Sequence, residues 1–173
     1  DTIRRDLNEL AESGQVLKVY GGALSKSFHY PFQENNVYAK EAKKEIASKA
    51  ISLIQSGMTV LVGGGTSMIE LARLMPKDIQ CTFFAISPLV ALELAEKENL
   101  EVILLGGHLS RNTNIVSGSQ VINALSEIKV DLCLLGTNSL SVEEGITDSD
   151  WEVVQIKKAM IKCSKKLGVL SIV

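Results

Sequence analysis

The chain has no excess of either charge. Its 18 Lys and Arg against 20 Asp and Glu leave −2 over 173 residues. A nucleic-acid footprint spread over the whole surface is therefore excluded, and any DNA contact must be local. Cysteine is scarce: Cys81, Cys133 and Cys163 are isolated, odd in number and set among apolar or helical residues. They offer neither a disulfide framework nor zinc spacing, and read as small buried hydrophobes in a reducing compartment. No apolar run approaches the ~18 residues of a spanning helix, and no secretory signal opens the chain. A soluble cytoplasmic protein without metal or cofactor is expected, with no membrane partner. There is also no internal repeat and no low-complexity tract.

What is present is apolar material, 46% of the residues, enough for a buried sheet within one domain plus an appendage. From residue 40 onward the pattern alternates. Ala42, Ile46, Ala50 and Ile54 form a helical stripe that ends at Gly57, and 58–62 is a short apolar strand. Helix, strand and helix follow at 66–74, 81–86 and 88–98, with Pro88 suited to a first helical turn. Strand 101–105, helix 120–128, strand 130–135, helix 150–165 and strand 167–173 complete the series. Strands apolar on both faces and separated by helices predict an α/β fold: a mainly parallel sheet covered by helices. A stretch without periodicity, Leu24 to Tyr38, reads as a linker.

In such a sheet ligands sit at the carboxyl ends of strands, and here those ends carry glycine. Val60-Leu61-Val62 runs into Gly63-Gly64-Gly65-Thr66-Ser67, where a helix begins. Backbone N–H groups can turn toward an anion there without a Cβ in the way, and the helix N-terminus adds partial positive charge. The anion suggested is a phosphate; the alternative is a plain strand-to-helix turn with Thr66 as N-cap. No Lys follows the glycines, so this is not a Walker loop, and the GxGxxG spacing of a dinucleotide site fails. Gly106-Gly107 and Gly136-Thr137-Asn138-Ser139 mark two further strand ends. Arg111 can hold a phosphate or carboxylate or stand in solvent, and His108, lacking a partner in sequence, reads as a surface residue. Asp131, an acid inside a strand, needs a partner, and a structural role is favoured over ligand contact. Lys157 and Lys158 lie beside an apolar helical face and read, from the residues alone, as solvated.

The first residues have a different character. Ile3, Leu7 and Leu10 make one helical stripe, with Thr2, Arg4 and Arg5 off it. Gly14 is placed to stop the helix, and a β-prone run, 15–20, closes at Gly21-Gly22. An arginine pair on such a helix can meet phosphates or base edges in a major groove. An ordinary amphipathic surface helix is the alternative.

The phrase TIRRDLNEL, then Gly14, then KVYGGA resembles the end of the helix-turn-helix domain of DeoR-type bacterial regulators. From about Lys43 onward, KKEIASKAISLI, GGGTS, LLGGHLSRNTNIVSG, VDLCLLGTNSLSVEEGIT and IKKAM resemble that family's C-terminal sensor domain. The resemblance implies a fold like that of ribose-5-phosphate isomerase and a phosphorylated sugar, or related metabolite, as effector. It divides the chain into a winged-helix remnant at 1–22, a linker at 23–39 and an effector-sensing domain at 40–173, an excised piece of a longer regulator. It carries effector contacts onto Gly64, Gly65, Thr66, Ser67, Ser87, Gly106, Gly107, Arg111, Gly136 and Lys157. DNA contacts fall on Thr2, Arg4 and Arg5. Two departures stand out: the family's usual acid is replaced by Gly63, and its usual Thr-Asn by Ala85-Ile86. Both strip hydroxyl-binding groups from the rim, so an altered or smaller effector, or a degenerate site, is expected.

The function expected is that of a transcriptional regulator, read as a repressor, whose sensor domain controls DNA binding within a homo-oligomer. The alternative from another class is a sugar-phosphate isomerase or deaminase on the same fold. Such an enzyme needs a carboxylate or histidine base. The glycine loops hold none, although Glu143, Glu144, Asp148 and Asp150 follow nearby in sequence. A third reading is a partner-binding module with an empty pocket.

Overall fold

The computed structural model describes residues 2–13, 16–25, 39–137 and 139–172. The chain divides into two compact units, 1–38 and 39–173. Most of the expected linker lies outside the described residues, as does Gly14.

The first unit holds helix α1 (Thr2–Glu12) and an antiparallel hairpin of β1 (Val16–Val19) and β2 (Gly22–Ser25). The sequence pattern closes the β run at Gly21-Gly22. In the structure only Tyr20 and Gly21 turn, with Gly21 at φ +87°, and Gly22 already pairs with Val19. Lys18 Nζ donates to Asn8 Oδ1 at 2.6 Å, tying hairpin to helix. The stripe is only partly covered: Leu7 and Leu10 are half-buried, and Ile3 is exposed. Thr2, Arg4 and Arg5 are exposed as well.

The second unit is built on a five-stranded sheet in the order β11-β8-β3-β4-β5, with every neighbouring pair parallel. The strands are β3 (Thr59–Val62), β4 (Cys81–Ala85), β5 (Leu100–Leu104), β8 (Val130–Gly136) and β11 (Ser164–Leu170). Helices α2 (Lys40–Ile51), α3 (Thr66–Leu74) and α4 (Pro88–Ala95) pack in sequence against one another. Helices α5 (Ser119–Glu127) and α6 (Trp151–Lys162) pair with each other. Side chains alternate across a strand. Leu61 and Cys133, partners in register, share a face with Leu135 and join Val121, Leu125, Val153, Ile156 and Met160 in one apolar cluster under α5 and α6. Val60, Val62 and Leu134, from the alternate positions, are fully buried too. Both faces of the central strands are thus covered, which is why their sequences read as unbroken apolar runs.

Three short features escape the sequence pattern. β6 (His108–Leu109) pairs with β7 (Val116–Ser117), and β9 (Ser139–Ser141) with β10 (Gly145–Thr147). Helix α6 ends at Lys162, not at 165, and β11 begins at Ser164. Ser164 is the register partner of Val130, whose N–H donates to Cys163 O at 3.0 Å, so sheet pairing overrides the helical pattern. Asp150 caps α6 by accepting from the N–H groups of Glu152 and Val153.

All three cysteines are free and buried. Burial pushes the Cys133 thiol up to about 12, with Cys163 adding to the shift. No helix among the described residues is long and apolar enough to cross a membrane.

Candidate functional site

The glycine loop after β3 is where the strand ends meet. Gly63 N–H continues the ladder to Leu134 O at 2.9 Å. A Cβ on Gly63 would press on Leu135 Cδ2 at 3.3 Å, and one on Gly136 would approach Gly64 O at 3.5 Å. A Cβ on Gly64 would stand 3.5 Å from Ser87 Cβ and would collide with Ile115 Cγ2. The ends of β3, β4 and β8 and the segment before β7 therefore converge on one backbone position that admits only glycine. Gly65 then adopts φ +98°, a conformation costly for any residue with a Cβ, and serves as N-cap of α3. Thr66 is thus the first helical residue and not the cap. The helix ladder opens with Met68 N and Ile69 N donating to Gly65 O at 3.1 and 3.2 Å. The N–H groups of Thr66 and Ser67 fall outside that ladder, as expected at a helix N-terminus.

The surrounding loops are tightly tied. Ile86 N–H donates to Val62 O, and Val116 N–H donates to Ile86 O at 2.7 Å. Ser87 is buried, and its hydroxyl donates to Asn114 O at 3.0 Å. Asn114, at φ 52°, closes a turn in which Ser110 N–H donates to Ile115 O and Asn114 N–H to Ser110 O. Ser87 is therefore at the rim, with its proton committed to that turn. Arg111 lies on the same turn and is exposed, with no ion pair among the described residues.

Other expected site residues have structural neighbours. Gly107 backs onto Ser117 O, where a Cβ would come within 2.7 Å, so its glycine is required by β7. Gly106 has open space about it. Lys157 is ion-paired: its Nζ donates to Asp148 Oδ2 at 2.8 Å, with the two side chains 17% and 8% exposed. Asp148 also accepts from Asp150 N–H. Asp131 stands at the amino end of β8, away from the glycine loop, and accepts from Lys165 Nζ at 2.8 Å and Thr59 N–H at 3.0 Å. The Lys165 hydrogen bond, with help from Thr59, holds its carboxyl below the usual range. That is the structural role favoured from sequence. His108 is exposed in β6, and Glu143 and Glu144 are exposed between β9 and β10.

Sequence reasoning missed two residues of the turn before β7. Ile115 faces Gly64 across the site, and Thr113 Oγ1 is the single buried side-chain oxygen without a partner among the described residues. The only sequence signal was an apolar pair, Ile115-Val116, interrupting a polar loop. No group of His, Cys, Asp and Glu fit for a metal ion stands among the described residues.

Comparison with known proteins bears on this arrangement. Residues 38–171 match the DeoR C terminal sensor domain, and residues 1–28 match the DeoR-like helix-turn-helix domain. The HTH-type transcriptional regulator GlpR of Haloferax volcanii is 35% identical over 96% of this chain and 66% of its own length. The HTH-type transcriptional repressor GlcR of Bacillus subtilis is 34% identical over 99% of this chain and 67% of its own. The glycerol-3-phosphate regulon repressor of Escherichia coli is 30% identical over 95% and 66%. The chain thus spans about two thirds of the length of these relatives. Among solved structures, ribose 5-phosphate isomerase A of Methanocaldococcus jannaschii superposes with a TM-score of 0.52 at 16% identity, covering 76% of this chain and 52% of its own. The enzyme of the same name from Neisseria gonorrhoeae gives 0.54 at 14%, covering 82% and 52%. At that identity the likeness establishes the fold alone, an α/β sheet of the isomerase type. The chain belongs to the DeoR family of transcriptional regulators, with residues 38–171 as its C-terminal sensor domain.

Proposed function

We propose that this chain senses a phosphorylated sugar or related metabolite and, within the full-length repressor, couples that binding to release of operator DNA. The observation that carries the reading is the convergence of three strand ends on Gly64. It leaves the Thr66 and Ser67 N–H groups and hydroxyls at a helix N-terminus that no side chain caps. Free donors and an aligned helix dipole are what an anion needs. Gly64, Gly65, Thr66 and Ser67 form the phosphate anchor, with Arg111 reaching from the Ser110–Ile115 turn. Ser87, Gly106, Gly107 and Gly136 shape the rim. Lys157 contributes only by exchanging Asp148 for the ligand. Such an exchange would free the loop that joins β10 to α6, which gives binding a structural consequence.

DNA contact belongs to α1 and its hairpin, through Thr2, Arg4 and Arg5. A homo-oligomer would set the spacing of two DNA half-sites. The protein is read as a sensor without catalytic activity. Of the acids on α3 and between β9 and α6, Glu70 is buried and lies 3.4 Å from Arg73 Nη1, Asp148 is spent on Lys157 and Asp150 on the α6 cap, while Glu143 and Glu144 are exposed between β9 and β10.

The test is thermal unfolding with phosphorylated sugars and their unphosphorylated counterparts. A ligand at 100 times its Kd stabilises by roughly 2.7 kcal/mol. Phosphorylated compounds should raise the Tm, and Thr66→Ala with Ser67→Ala should remove most of the shift. Equal shifts with and without phosphate would refute the anchor.

A further inference from the structure

We infer that Thr113 is a specificity-determining residue of the sensor site: its buried hydroxyl makes a hydrogen bond to the effector's body, beside the phosphate held at the start of α3. This rests on the phosphate anchor proposed above and concerns the turn packed against it. Thr113 Oγ1 is buried and has no hydrogen-bond partner. A buried hydroxyl left unmet costs free energy, and buried polar groups are bonded in the great majority of cases. The exception is accounted for when the partner arrives with a ligand. Other hydroxyls at the strand ends are committed: Ser87 Oγ donates to Asn114 O, Ser117 Oγ to His108 O and Thr137 Oγ1 to Ser139 O.

The turn places that hydroxyl close to the anchor. Asn114 O accepts from Ser87 Oγ at 3.0 Å, and Ile115 Cγ2 packs where a Cβ on Gly64 would stand. Thr113 immediately precedes these two residues, and two residues of chain span at most ~7 Å. The turn is also rigid. Ser110 N–H donates to Ile115 O, Asn114 N–H to Ser110 O and Val116 N–H to Ile86 O, at 2.9, 2.9 and 2.7 Å. On this fixed backbone the side chains of Arg111, Asn112, Thr113 and Asn114 make no hydrogen bond to any described residue. A preorganised backbone with uncommitted polar side chains is what recognition of a small molecule needs. The Thr113 hydroxyl can donate and accept, and branching at Cβ leaves its side chain few rotamers. Inorganic phosphate has no body to present to it, which separates this contact from the anchor.

The experiment is calorimetric titration of this chain, and of its Thr113→Val and Thr113→Ser variants, with inorganic phosphate, glycerol 3-phosphate, ribose 5-phosphate, fructose 1-phosphate and glucose 6-phosphate. At least one organic phosphate should bind the wild type more tightly than inorganic phosphate does. For the tightest of them Thr113→Val should weaken binding about tenfold, the worth of one hydrogen bond, while inorganic phosphate binds as before. Thr113→Ser, which keeps the hydroxyl, should recover most of that affinity. The urea midpoint of Thr113→Val should be no lower than that of the wild type, because no bond within the fold is lost. Unchanged affinity for that organic phosphate, or an equal loss for inorganic phosphate, would overturn the inference and leave the anchor standing. A lower urea midpoint would commit the hydroxyl to the fold and overturn it too, as would a wild type that binds no organic phosphate more tightly than inorganic phosphate. No binding of any phosphorylated compound, inorganic phosphate included, would instead overturn the anchor on which the inference rests.

Discussion

Ile115 and Gly64, far apart in sequence, touch so closely that the Ile115 Cγ2 methyl occupies the space a side chain at position 64 would need. This contact joins the turn before β7 to the loop after β3. An isoleucine cannot retract its Cγ2 cheaply, because branching at Cβ stiffens it.

Gly64→Ala should therefore destabilise the sensor domain by about 1–3 kcal/mol through overpacking. Ile115→Ala alone should cost about 2–5 kcal/mol through the cavity it leaves. Together the two changes should cost clearly less than their sum, since the new methyl enters the new space. Urea denaturation of the four proteins measures this cycle. Strict additivity would mean the two residues do not pack as described.

Much of this domain was legible from the chain, and the reasons for the gaps are physical. The alternation of apolar runs with helical stripes gave the parallel sheet, because strands buried on both faces cannot hide their composition. Gly63-Gly64-Gly65 marked a strand end, and two of the three positions, 64 and 65, refuse a side chain. What refuses it differs, however. Position 64 is closed by Ile115, position 107 by Ser117 O and position 65 by its own φ. No periodicity encodes such long-range contacts. The α6 boundary at Lys162 was set by Val130 pairing with Ser164, again a partner distant in sequence. Thr113 was unreadable because its significance is a missing partner.

The Lys157–Asp148 pair separates two roles for Lys157. Asp148→Asn removes one partner of a largely buried ion pair and should lower stability by up to about 3 kcal/mol. If Lys157 also receives the effector phosphate, the same variant should bind inorganic phosphate more tightly, because the competing carboxylate is gone. Calorimetry reads the affinity, and urea denaturation reads the stability. Lower stability with unchanged phosphate affinity would confine Lys157 to a structural role.

Asp131 gives a pH signature at the opposite end of the sheet. Lys165 and the Thr59 N–H hold its folded-state carboxyl below its unfolded value. A depressed acid stabilises the fold above the unfolded pKa, near 3.9. That contribution fades as pH falls through the folded value. Asp131→Asn should therefore flatten the acid limb of the stability curve below about pH 4 and leave its slope near neutrality unchanged. Urea midpoints from pH 2.5 to 7 would show it, and identical acid limbs in the two proteins would contradict the pairing.

Arg4 and Arg5 are exposed on α1, within the segment that matches the DeoR-like helix-turn-helix domain. Arg5 Nε lies 3.8 Å from Asp6 Oδ1, a surface pair too open to compete with a nucleic acid. With a net charge of −2 over these 173 residues, no general attraction to DNA comes from the chain, so these two guanidinium groups should dominate. In the full-length protein, Arg4→Ala or Arg5→Ala should cost about 1–3 kcal/mol and relax preference at one base pair if the arginine reads a guanine edge. If it holds a phosphate instead, affinity should fall alike for all sequences and the salt slope should drop by about 1. Fluorescence anisotropy across salt concentrations and single-base operator variants distinguishes the two. Wild-type binding by the double variant at matched salt would show that α1 does not read the operator.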